Sequence, residues 1–143
     1  TLFAVALGTV SWLAEGLATY FGNQPFRGGN LVELKQYTAK ELAKPIAWLE
    51  ETNLIQATDG ETIRQFYAIS GMVVEFMVET YGLERVKALL NELSKFPRYD
   101  HGFDYGVMEF ENQKRLHQAI KTVLGMDQDT FNGHWLKWIE AQK

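Results

Sequence analysis

The stretch SWLAEGLATYF, Ser11 to Phe21, contains one carboxylate, Glu15, and no other charged side chain occurs between Thr1 and Phe26. An unpaired carboxylate is costly to bury, so Glu15 must either face water or meet a partner. A metal ion, or a base such as Arg64 or Arg85, would serve. The plain alternative is a glutamate in the first turn of a helix, favoured there by the helix dipole alone. Tyr67, in QFYAIS, could donate a hydrogen bond to a developing oxyanion, or be a core aromatic with its hydroxyl satisfied. Ser70 has no evident His or Asp partner, which leaves a nucleophile role unsupported. The three histidines, His101, His117 and His134, are not four residues apart, so no pair shares a helical face as metal ligands do. Each reads as a surface or boundary residue. The segment YDHGFDYGVMEFE gathers Asp100, His101, Asp104, Glu109 and Glu111 among aromatics. Its spacing is not that of an EF-hand, and a solvated loop is the default, although aromatic loops also line clefts.

The elements that must position these residues read as helices. TLFAVAL ends at Gly8, and Ser11 can cap a helix over about Trp12 to Phe21. On that helix Trp12, Leu13, Leu17, Tyr20 and Phe21 form a broad apolar face, while Ala14, Glu15, Ala18 and Thr19, with Gly16 at the border, form a small-residue face. A small face lets another helix come close. GNQPFRGGN is loop. Thr38 and Glu41 make a capping box, and Pro45 either kinks ELAKPIAWLEE or splits it into two short helices. Ile63, Phe66, Tyr67, Ser70, Val73, Val74, Met77 and Tyr81 recur at helical spacing up to Gly82. Val86, Leu89, Leu90 and Leu93 repeat the pattern until Pro97. Residues 96–112 lack periodicity and read as one long irregular loop. Leu116, Ile120, Val123 and Leu124 mark a helix closed by Gly125. Asp127 caps the last one, with Phe131, Trp135, Trp138 and Ile139 as its stripe. No alternating strand pattern occurs. The expectation is all-α: five to seven helices in a compact irregular bundle, a single helical unit over 1–143.

Composition narrows the function classes. The chain has 143 residues, a net charge of −4 and no cysteine. Net acidity without a Lys/Arg run argues against nucleic-acid binding, which needs a basic stripe. Absence of cysteine excludes disulfides and thiolate metal sites. Residues 1–22 are apolar, but Gly8, Thr9, Ser11 and Glu15 interrupt them, and buried helices are the better reading than a membrane span.

WLAEGLATYF resembles the W-L-x-E-G-L-A-x-Y-F segment of peptidase MA-like domains, the gluzincin group of zinc metallopeptidases. FYAISGMVVEFMVETYGLERVKALLNEL looks like that family's next block, and AIKTVLGMDQDTFNGHWLKWI looks like its close. The three blocks cover about half the chain in the right order. Residues 23–60 match loosely, and 96–112 look like an insertion. The resemblance implies that Glu15 is the third zinc ligand, completing a set whose two histidines come from a His-Glu-x-x-His helix. It also makes Tyr67 a candidate electrophilic helper, a peptide or protein the substrate, and the location extracytoplasmic. This sequence has no His-Glu-x-x-His. The expectation is therefore that TLFAVAL is the tail of the motif helix, with the motif just upstream of Thr1. This chain would then be the C-terminal subdomain of a zinc peptidase, holding no zinc by itself and inactive alone. A dimer mate or crystal neighbour would cover the small-residue face near Glu15. The competing reading is a non-catalytic helical module, derived from such a fold, that binds a peptide or protein.

Overall fold

The computed structural model describes residues 10–22, 37–52, 59–97 and 105–142. The proposed helix before Gly8, the GNQPFRGGN loop beyond Gly22, and Asp100, His101 and Asp104 lie outside them. Within the described residues the protein is all-α, with seven helices: α1 (Ser11–Gly22), α2 (Ala39–Leu42), α3 (Ile46–Glu51), α4 (Gly60–Tyr81), α5 (Leu83–Ser94), α6 (Tyr105–Leu124) and α7 (Gln128–Glu140). None of these is long and apolar enough to cross a membrane.

Local chemistry sets most boundaries. Thr38 and Glu41 form the capping box that starts α2, each side chain bonded to the other's backbone amide. Asp59 opens α4 by accepting from the Glu61 amide, and Asp127 opens α7 by accepting from that of Thr130. Gly82 ends α4 with φ 94° and Gly125 follows α6 with φ 72°, a region that favours glycine. Pro45 divides α2 from α3. Its ring offers α3 no side-chain cap, and α7 supplies one instead: Asn132 Oδ1 accepts from the Ile46 amide at 2.7 Å. Trp135 Nε1 donates to the Lys44 carbonyl at 2.7 Å, so the same helix satisfies the backbone of the proline break twice.

The long helix α4 runs through the middle and contacts α1, α2, α3, α5 and α7. Its Phe76 is enclosed by the rings of Tyr81, Phe131, Trp135 and Trp138, with centroids 5.5–5.9 Å away in edge and tilted geometries. The stripe read on α7 is therefore core, with Phe131, Trp135 and Ile139 fully buried and Trp138 packed beside them. Trp12 is core as well, while Trp48 is half-buried with Lys44 Nζ 5.7 Å from its ring.

Two expectations change. The irregular loop over 96–112 loses its second half, because α6 begins at Tyr105. Asn112 is buried and Glu109 half-buried there, so polar residues occupy inward positions and hide the helical period. On α1, Phe21 was assigned to the apolar face but is 40% exposed, while Gly16 and Thr19 are buried. The buried arc is rotated toward the small residues because α4 packs against them.

Candidate functional site

At about 100° per residue, Thr19, Trp12, Gly16, Tyr20, Leu13 and Leu17 fill one continuous arc of α1. Phe21, Ala14, Ala18, Ser11 and Gly22 fill the rest, and all of these are half-buried or exposed. Glu15 stands at the seam, beside Thr19 on the buried side and Ser11 on the open side. It is half-buried.

The seam is held by a close helix crossing. A Cβ added at Gly16 would lie 2.4 Å from the Ser70 carbonyl oxygen and 2.9 Å from Val74 Cγ2. No side chain fits there, which is why a glycine follows Glu15. The small-residue face is thus covered in part by this chain's own α4, at Gly16, and Thr19 is buried too, while Ala14, Glu15 and Ala18 remain half-buried.

Burial pushes the Glu15 carboxyl above the ordinary carboxylate range, and neither a hydrogen bond nor a charge among the described residues offsets it. The bases named as possible partners are engaged elsewhere: Arg64 with Glu61 at 3.0 Å, and Arg85 with the Val123 carbonyl at 3.5 Å. An internal Glu15–Arg pair with either is therefore not formed.

Tyr67 lies one turn before Ser70 on α4, so it and Glu15 belong to the two helices that cross at Gly16 and Ser70. It is half-buried, its ring edge-on to Phe66 at 6.1 Å. Ser70 is fully buried, and its hydroxyl finds no hydrogen-bond partner among the described residues; the same holds for the buried Trp12 indole N–H, one turn before Gly16. A serine so enclosed is not placed to attack a substrate.

The histidines are committed to structural contacts where described. His117 Nε2 meets Glu50 Oε2 at 2.9 Å, and His134 Nδ1 meets the Tyr81 hydroxyl at 3.1 Å. Among the described residues no three His, Asp or Glu side chains come together as a metal site would require.

The residue that sequence reading missed is Glu109. It was placed in a solvated loop, but it sits half-buried on α6 and accepts from Ser11 twice: the amide to Oε1 at 3.0 Å and the hydroxyl to Oε2 at 3.3 Å. Ser11, expected to cap α1 with its own oxygen, donates that hydroxyl to a carboxylate from another helix. Burial raises the Glu109 carboxyl, the two Ser11 bonds lower it, and the nearby Glu50 raises it further, leaving it above the usual range. Gln113, one turn on, donates to the Glu50 carbonyl at 3.0 Å, and His117 comes another turn later. The signal was Glu109, Gln113 and His117 at steps of four, a polar rail along one side of a helix.

Against known proteins, the chain matches no family, no curated protein and no solved structure.

Proposed function

We propose that this chain is the C-terminal helical part of a zinc-dependent peptidase-like domain, in which Glu15 serves as the third metal ligand. The observation that carries the reading is Glu15 itself: a half-buried carboxylate at the edge of a tight helix crossing, raised by burial and with no cation among the described residues to offset that cost. A divalent cation beside it would remove the penalty by holding the carboxylate ionised. The donor fits the role, and it is one oxygen ligand of a three-ligand set; the histidines would come from outside the described residues. Zinc, when bound, supplies Lewis acidity and a more acidic water. This chain's own work is to hold the Glu15 carboxylate at a fixed place, through the Gly16–Ser70 contact, and to form one wall of a peptide cleft. Tyr67, on the facing helix, is the candidate to donate a hydrogen bond to the substrate carbonyl.

The test begins with the gene. A His-Glu-x-x-His within about twenty residues upstream of Thr1 is required. In a protein containing that segment, metal analysis should find one zinc per chain, lost in Glu15→Ala with little change in melting. Absence of the motif, or zinc content indifferent to Glu15, would remove the reading. Should Glu15→Ala instead alter melting while metal stays at zero in both proteins, the chain is a non-catalytic helical module.

A further inference from the structure

Glu109 touches neither Glu15 nor the helix crossing in any bond among the described residues, yet it grips the residue one turn before Glu15. The first amides of an α-helix have no intrahelical partner, and a nearby side chain ordinarily serves them. Here the acceptor is 98 positions away in sequence. The two contacts are complementary. The amide and the hydroxyl of Ser11 each donate to a different oxygen of one carboxylate, so the start of α1 is held at two points rather than one. Residues four apart lie on the same side of a helix, so restraint at Ser11 is restraint at Glu15.

The grip is itself anchored. Gln113 and His117, at one and two turns beyond Glu109, bind the Glu50 carbonyl and carboxylate at the C-terminal end of α3. One edge of α6 therefore ties the start of α1 to the end of α3. Gly16 against Ser70 sets how closely α1 approaches α4. The Glu109 bonds add a second hold, at the start of α1.

We infer that Glu109 is a positioning residue for Glu15: by holding Ser11 it fixes the register and rotation of the first turn of α1, and hence where the Glu15 carboxylate stands. Its relevance to metal rests on the reading of Glu15 as a ligand, but the clamp can be tested without metal.

The experiment compares Glu109→Ala with Glu109→Gln, since both remove the charge and only glutamine keeps an acceptor for the Ser11 amide. Amide exchange at Ala14, Glu15 and Gly16 should quicken about fivefold in Glu109→Ala, as for a lost helix cap, and recover most of that in Glu109→Gln. Amides of Val73 and Val74 in α4 should change by less than about twofold, because the loss is local. Equal acceleration in both helices, or none in α1, would overturn the clamp. In a protein that binds zinc, Glu109→Ala should weaken binding about three- to tenfold and Glu109→Gln less, which is milder than loss of a group bonded directly to a ligand. A protein that binds no zinc would sink the metal reading, and the exchange results would still decide the clamp.

Discussion

Gly16→Ala is the substitution that most directly probes how Glu15 is presented. Exposed and unconstrained, a glycine in mid-helix is worse than alanine by about 1 kcal/mol, so propensity alone predicts stabilisation. The structure predicts the opposite sign. The new methyl would sit 2.4 Å from the Ser70 carbonyl oxygen and 2.9 Å from its carbonyl carbon. Both are backbone atoms in the middle of a 22-residue helix and cannot rotate away. Reaching ordinary van der Waals separation requires α1 to move off α4 by about 1 Å, and a gap of that size forfeits a quarter to a half of each dispersion contact it opens. Overpacking of this kind costs about 1–3 kcal/mol, and toward the upper end where backbone must yield. With the propensity gain subtracted, we expect a net loss of about 1–2 kcal/mol. In urea, with a slope of about 1–3 kcal/mol/M, that is a midpoint lower by about 0.3–2 M. Trimming the third contact should not help: Gly16→Ala with Val74→Ala relieves the Cγ2 clash but leaves the carbonyl in place, so the double variant should be no more stable than the single. An unchanged or raised midpoint for Gly16→Ala would refute the close crossing, and with it the account of why Glu15 is followed by glycine.

The same packing sets three further outcomes. Ser70→Ala removes a fully buried hydroxyl with no described partner, so equilibrium unfolding should show it neutral or stabilised by up to about 1 kcal/mol, where loss of a satisfied hydroxyl would cost that much. Asp127→Ala removes the oxygen that accepts from Thr130 and should lower the unfolding midpoint, read in the same assay at neutral pH. The pH profile of stability should peak on the mildly acidic side. Glu15 and Glu109 hold protons more tightly folded than unfolded, so stability is full below about 4.5 and falls as pH rises through their raised values. Glu41, Asp59 and Asp127 are lowered by their capping bonds and act oppositely, their contribution fading as pH falls through the lowered values. Glu15→Gln should flatten the decline on the alkaline side; a decline of undiminished slope would show that Glu15 is not desolvated.

Punctuation was the most legible layer of the sequence. Thr38 with Glu41, Asp127, Gly82 and Gly125 each act within a turn or two of the chain, so local pattern suffices to read them. The aromatic stripe of α7 was also readable, because its buried positions are all apolar. What escaped were features whose cause lies far away in sequence. Asn132 and Trp135 serve the backbone at Lys44 to Ile46, and Glu109 serves Ser11; nothing within reach of either segment announces the partner. The start of α6 escaped for the same reason. Its inward positions carry the buried Asn112 and Glu109, whose carboxylate meets α1, and a hydrophobicity pattern counts both as solvent-facing.

The same distinction bears on Glu15. A carboxylate serving only the helix dipole would gain nothing from a glycine beside it or from a bidentate clamp one turn earlier, since the dipole acts on an exposed side chain equally well. A carboxylate that must stand at one place needs both restraints: the approach of the two helices set by Gly16, and the rotation of the first turn set by Glu109. Burial without a counter-charge among the described residues is tolerable at this seam because Glu15 is only half-buried, at the edge of the open arc of α1, where water can solvate it or a cation can meet it. The arrangement therefore separates the two readings by what fills that arc. If Glu15→Gln stabilises the protein and changes no metal content, the restraints are a by-product of packing. If it stabilises the metal-free protein while abolishing zinc in the longer one, stability has been given up to keep a ligand in place, as a binding site requires.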